Sequence, residues 1–187
     1  MLQRINDLQT CPGNTCVQII NSIDSNALRG RTYDIEVVES VGNGATVNFV
    51  IDPKNMDSDK RLVARPTKWA TSTESVIVTL GVCSSYTGGT AITPVNRNYF
   101  YQTSNPAKVK IIYNANLTGY VAGSTQILVG TEGTNQNAGG GSYAGNDIIV
   151  LDTSLIYVFS VSAAPSALNL GVYIGWLENV KNPELGF

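Results

Sequence analysis

The chain of 187 residues is long enough for one large domain, and only 14% of its residues are charged, against roughly 25% in an average globular domain. Its 12 Lys and Arg and 14 Asp and Glu give a net charge of −2 without any basic block, which disfavours binding to nucleic acid. Histidine, the commonest general acid or base, is absent, which disfavours most enzyme classes. No run approaches the ~18 apolar residues of a membrane span, which disfavours a membrane-spanning protein.

Residues 1–30 are predicted to form an N-terminal arm or a first pair of strands. The apolar residues up to Leu8 have helical spacing, but the pair Pro12 and Gly13 ends any helix. Cys11 and Cys16 flank this turn, which could bring their sulfur atoms together. We interpret them as reduced thiols in a cytoplasm, because the start lacks the basic and apolar regions of a signal peptide.

Regular alternation of apolar and polar residues begins after residue 31. Residues 33–37 and 47–51 both alternate in the way that is typical of half-buried strands. A glycine-rich turn at residues 42–44 separates them. We therefore predict an antiparallel hairpin over residues 37–51.

Further strand candidates continue to the end of the chain. They lie at residues 62–64, 76–82, 109–113, 126–129, 148–151, 156–161 and 168–177. About nine strands, with no helical segment of about ten residues between them, predict an all-β fold, an antiparallel β-sandwich or jelly roll over residues 31–187. The glycine-rich residues 130–145 are predicted to form a long loop.

The segment after the predicted hairpin is the best candidate for a metal site. Asn55, Asp57 and Asp59 alternate like the first oxygen ligands of a calcium loop. Lys60 and Pro66 stand where such a loop needs a glycine and a bidentate acid. We therefore expect a solvated turn and no bound metal.

Catalytic and cofactor signatures are missing elsewhere. The serines have no histidine to act as a base, and the glycines at residues 139–141 are not followed by the Lys and helix of a phosphate loop. Cys83 lies in an apolar run, and Trp176 shares its strand parity with Val172 and Ile174. We expect Cys83 and Trp176 in the core, and we predict no enzyme and no cofactor.

Three consecutive aromatic residues, Tyr99, Phe100 and Tyr101, are the best candidate for recognition of a partner. Neighbours on a strand point to opposite faces, so all three cannot face one core. One hypothesis is a contact between subunits, with Arg97 forming a bidentate pair with a carboxylate across it. The alternative keeps Phe100 in the core and lays the two tyrosines over a sheet edge.

Trp69 is the second candidate for a binding residue. It lies in the polar stretch PTKWATST, which predicts an exposed loop. An aromatic side chain in such a loop is suited to docking on another protein or to stacking against a sugar.

Four segments in a fixed order resemble a widespread group of structural proteins of tailed-bacteriophage virions. They are GTAITPVNRN (residues 89–98), KVKIIYNANLT (residues 108–118), LDTSLIYVFSVS (residues 151–162) and LNLGVYIGWLE (residues 168–178). The resemblance covers roughly residues 31–178. DTSLIY and WLE stand where the group has PNTxYL and WYE, and both keep the alternation of a strand.

The resemblance implies a β-sandwich on the capsid surface of a virion, made in the host cytoplasm and commonly trimeric. A head decoration or cement protein of this kind would bind the major capsid protein and further copies of itself, and the resemblance implies no catalytic residue. The alternative function is a host-recognition module of a head or tail fibre that binds surface glycans through Trp69 and the glycine-rich loop.

Overall fold

The computed structural model describes residues 8–11, 14–17, 29–57, 60–64, 67–71, 76–101, 104–123, 126–129, 139–143, 149–163 and 168–181. Apart from a 3₁₀ turn at Tyr99–Tyr101, all regular structure in these ranges is β-strand. In chain order the strands are β1 (Leu8–Cys11), β2 (Asn14–Val17), β3 (Thr32–Val41), β4 (Thr46–Asp52), β5 (Lys60–Ala64), β6 (Thr67–Thr71), β7 (Val76–Cys83), β8 (Ser85–Thr87), β9 (Thr90–Ile92), β10 (Val95–Asn96), β11 (Lys110–Tyr113), β12 (Asn116–Thr118), β13 (Gln126–Val129), β14 (Gly139–Tyr143), β15 (Ile149–Leu151), β16 (Ile156–Ala163) and β17 (Leu168–Lys181). The predicted all-β class is confirmed.

The first sheet is arranged around the long strand β17. On one side β17 pairs with β3, and β3 pairs with the short strand β10. On the other side β17 pairs first with β6 and then with β5, and these two strands continue to β14 and β15. All of these pairs are antiparallel. The strands on the two sides of the first sheet are connected through β17.

The second sheet has the strand order β13-β7-β16-β4-β11-β9 and is also antiparallel. Its inner face packs against the first sheet in one apolar core. Phe49 and Phe159 of the second sheet and Tyr33 and Trp176 of the first are each at most 2% exposed and belong to the same cluster. The antiparallel β-sandwich is therefore confirmed, as is the core position of Trp176.

A two-stranded ribbon, β8 with β12, covers part of the outer face of the second sheet. Val50, Cys83 and Val158 form a second buried cluster, against which Tyr86 and Leu117 of the ribbon pack. This cover explains why β4 is buried on both faces over Phe49–Ile51, although strict alternation would expose Val50. Cys83 is buried, as predicted.

The predicted hairpin over residues 37–51 is wrong. Its two strands exist, but β3 pairs with β10 and β17 of the first sheet while β4 pairs with β11 and β16 of the second. The turn that joins them, closed by a hydrogen bond from Ala45 N to Gly42 O (3.0 Å), carries the chain from one sheet to the other. Turn residues specify a reversal of the chain, and they do not specify which strands pair.

Near the N-terminus, β1 and β2 form an antiparallel pair, the β1–β2 hairpin, which agrees with the prediction of a first pair of strands over this part of residues 1–30. The register pairs Cys11 with Asn14 and Cys16 with Gln9, so the two cysteines are not directly opposite each other.

Candidate functional site

The segment from Val95 to Asn105 carries the predicted binding residues, and a buried amide holds its start. Asn96 is 3% exposed. Its Nδ2 donates to the carbonyl oxygens of Gly30 (2.9 Å) and Asn105 (3.1 Å), and its Oδ1 accepts from the Asn98 backbone N–H (2.9 Å). One side chain thus satisfies three backbone groups that belong to no strand pair, as buried polar groups require.

A second amide and a phenol continue this network. Asn105 Nδ2 donates to Gly30 O (2.6 Å), and the Tyr33 hydroxyl donates to Asn105 O (3.1 Å). The Tyr33 ring stacks on Trp176, with ring centroids 6.1 Å apart. Burial, aided by the charge of Glu178, raises the pKa of Tyr33 to about 12, which keeps its hydroxyl protonated as a donor.

Arg97 is engaged by its own chain. Its backbone N–H donates to Thr32 O (2.9 Å) and its Nη1 donates to the Tyr173 hydroxyl (2.7 Å). The same Nη1 lies 3.4 Å from Asp34 Oδ2, to which the Tyr173 hydroxyl also donates (3.2 Å). The Tyr173 ring lies against Gly175, where a Cβ would stand 3.0 Å from the hydroxyl oxygen.

The carboxylate partner predicted for Arg97 therefore lies within the chain, and one guanidinium nitrogen contacts it. Because the Arg97 side chain is 47% exposed, this ion pair adds little stability. Its effect is to fix the direction in which the chain leaves β10.

The aromatic triplet Tyr99, Phe100 and Tyr101 forms a 3₁₀ turn that begins two residues after Arg97. Asn98 Oδ1 accepts from the Phe100 backbone N–H (3.2 Å) and so caps the turn. Tyr99 is 78% exposed and Phe100 is 95% exposed, while Tyr101 ends the turn. The alternative that placed Phe100 in the core is wrong, because the segment is a turn on the surface and strand parity does not apply to it.

Glu178 holds the chain just beyond this segment, at Lys108 and Val109, and it was not predicted as a site residue. Glu178 is fully buried (0% exposed). Its Oε1 accepts from Val109 N (3.0 Å), Lys108 N (3.1 Å) and Trp176 Nε1 (2.9 Å), and its Oε2 accepts from Lys108 N (2.9 Å). The signal was present, because Glu178 has the parity of the core residues Trp176 and Ile174 and so had to face inward.

Trp69 lies in a different structural context from the one predicted. It belongs to β6, in register with Val172 of β17 on one side and Gly141 of β14 on the other. The loop expected for Trp69 is therefore wrong. Residues 139–143 of the predicted glycine-rich loop form the strand β14, and residues 130–138 and 144–145 lie outside the described residues.

The remaining candidates offer no reactive centre in the part of the chain that the structure describes. Asn55 and Asp57 lie in an exposed turn, Asp57 pairs with Lys108 Nζ (3.3 Å), and Asp59 falls outside the described residues. Within the described ranges no group of His, Cys, Asp and Glu side chains is suited to a metal ion. Burial raises the pKa of the Cys83 thiol, which lowers its reactivity at neutral pH.

The described residues contain no helix that is long and apolar enough to cross a membrane. No protein-family model, curated protein or solved structure matches this chain. The geometry is that of a 3₁₀ turn, Tyr99–Tyr101, which exposes Tyr99 and Phe100 and follows a stretch of chain held by the buried side chain of Asn96.

Proposed function

We propose that this chain is a structural protein of a tailed-bacteriophage virion, which decorates the head as a homotrimer and binds the major capsid protein. The observation that carries the proposal is the exposure of Phe100, at 95%, together with Tyr99, at 78%, on a turn held by the chain's own hydrogen bonds. Large aromatic side chains presented in this way are typical anchors of protein interfaces. The resemblance of four ordered segments to virion proteins supplies the biological setting.

A protein partner fits the turn better than a glycan does. A sugar site combines an aromatic face with polar groups that hydrogen bond to hydroxyls. Here the polar neighbours Asn96 and Asn98 bind backbone groups of the chain, and Arg97 binds Asp34 and Tyr173. The more exposed of the two described side chains of the turn, Phe100, is wholly apolar, and another protein is its natural complement.

The expected strength of the contact follows from the exposed area. Full burial of a Phe side chain contributes ~1.5–3 kcal/mol, which corresponds to roughly a 10-fold to 100-fold change in affinity per copy. Three copies in one assembly bind the head together, because the first contact raises the effective concentration of the other two. Disrupting the turn in every copy therefore multiplies the loss of affinity. A weak single contact is thus sufficient for slow release from a head.

The test is the binding of purified protein to heads of the encoding phage that were assembled without it. Phe100→Asp should fold normally, because the side chain is exposed, and should bind heads at least about tenfold more weakly. Leu155→Asp is the matched control, since Leu155 is an exposed apolar residue (45%) in another turn and should bind like the wild type. If Phe100→Asp binds heads unchanged and keeps the wild-type oligomer mass, the turn is not a contact.

The oligomer mass of the Phe100→Asp variant shows which partner the turn contacts. A normal trimer with weakened head binding places the turn on the capsid protein, and loss of the trimer places it between subunits.

A further inference from the structure

Strand β3 has an open edge in the first sheet. Along β3, the backbone N–H and C=O groups of Ile35, Val37 and Glu39 point toward β17, where Ile35 is in register with Ile174. The alternate residues direct their backbone groups to the other side, as shown by the hydrogen bond from Arg97 N to Thr32 O (2.9 Å). On that side β10 covers Tyr33 and Asp34 only.

The edge is open because the chain enters the first sheet only at Val95, where β10 begins. The preceding strand, β9, pairs with β11 of the second sheet. Consequently no strand of the described chain lies beside Glu36, Val38 and Ser40, and all three are exposed, Val38 at 73%.

The N-terminal hairpin is the second element without a strand partner in the sandwich. Among the described strands, β1 and β2 pair only with each other. An isolated two-stranded hairpin is at best marginally stable in water. Its strands, LQTC and NTCV, carry no charge, so they meet no electrostatic repulsion from Glu36 and Glu39 at the open edge.

We propose that the β1–β2 hairpin of one copy pairs with the open edge of β3, over Glu36 to Ser40, in a second copy. Within the described part of one copy the hairpin and the edge have no strand partner in the sandwich, and exchange between copies gives each of them one. The contact is heterologous, so it closes into a ring when the rotation between copies permits. The eleven residues from 18 to 28 can span at most about 40 Å, which is enough to reach a neighbour.

This inference rests on the self-association in the proposed function and not on the position of the protein in the virion. If heads bind the protein but the exchange test fails, only the exchange is refuted. If the exchange occurs but heads are not bound, only the capsid assignment is refuted.

Disulfide trapping tests the exchange in the full chain, because the hairpin already contains Cys11 and Cys16. Val38→Cys, oxidised at a protein concentration where the oligomer is populated, should give covalent dimers and larger species linked from position 38 to a hairpin cysteine. The matched control, Leu155→Cys, should remain uncrosslinked. A cross-link within one chain would overturn the exchange between copies.

Hydrogen exchange provides an independent readout that needs no substitution. The amides of Glu36, Val38 and Ser40 should be protected in the wild-type oligomer to a degree similar to that of Ile35 and Val37, which bond β17. Rapid exchange at the three edge amides would refute the proposal, whatever the trapping result.

A proline substitution completes the test. Val38→Pro removes an N–H that faces the open edge, so the ladder with β17 remains while strand addition is blocked. Val38→Thr keeps the N–H and is the control. The proline variant should keep its β-sheet circular dichroism and lose the oligomer, and a folded proline variant of unchanged oligomer mass would contradict the proposal.

Discussion

The replacement of Glu178 by Leu tests how the segment that carries the aromatic turn is held. Leu has a similar size but no acceptor, so three N–H donors lose their partner: Val109 N and Trp176 Nε1, both buried, and Lys108 N, which is partly buried. Each unsatisfied donor costs ~1–3 kcal/mol, so the loss of all three should lower the free energy of unfolding by about 3–9 kcal/mol. That is a large part of the ~5–15 kcal/mol that stabilises a typical domain.

A graded series makes the magnitude interpretable. Glu178→Gln keeps one acceptor oxygen for Val109 and Trp176 and places an NH₂ group against the Lys108 N–H, so it should cost about 1–3 kcal/mol. Lys110→Leu removes a charged side chain at an exposed position of the second sheet and should stay within about 0.5 kcal/mol of the wild type.

Urea denaturation followed by fluorescence measures all three variants, and residue-resolved hydrogen exchange should show loss of protection at Lys108 and Val109. If Glu178→Leu costs less than about 1 kcal/mol, the donors have found other acceptors and the reasoning is refuted.

Two further predictions concern the ribbon and its neighbours. Gly89 has φ +81° and an added Cβ would lie 2.6 Å from Ile112 Cγ2 and 2.8 Å from Tyr113 O, so Gly89→Ala should cost about 2–5 kcal/mol. Gly44→Ala, at φ +64° in open space, should cost only the backbone strain of about 1–2 kcal/mol; equal thermal destabilisation of the two variants would contradict the account. Burial and the hydrogen bond to Asp52 (2.9 Å) raise the pKa of Tyr86 from 10.0 to about 12, so this contribution to stability is complete below pH 10 and is lost as the pH rises to about 12. Tyr86→Phe should flatten the loss of stability over that range in alkaline urea titrations, and an unchanged slope would refute the coupling.

Strands with one buried face could be predicted, because the alternation of apolar and polar residues then shows which side chains face the core. β16 and β17 follow their predicted ranges for this reason. β14 was missed because Gly139–Gly141 carry no side chains that could alternate, and its pairing with β6 is a long-range choice. The pairing of β3 and β4 with different sheets was missed for the same reason, since local turn chemistry cannot encode a distant partner.

The residues of the site could be predicted from the sequence, but the contacts that hold them in place could not. The aromatic triplet stands out in the sequence, but the chain before it is held by Asn96, whose Nδ2 donates to the carbonyl oxygen of Gly30, 66 residues away, and local sequence carries no signal of that contact. Trp69 was placed in a loop because its neighbours are polar, and its strand depends on the register with β17.

Immunogold electron microscopy of intact particles of the encoding phage, with an antibody to this chain, tests the central claim most directly. The account predicts dense and regular labelling over the head. Labelling confined to the tail would contradict decoration of the head. Particles that label at other accessible epitopes but not with this antibody would contradict the virion assignment itself.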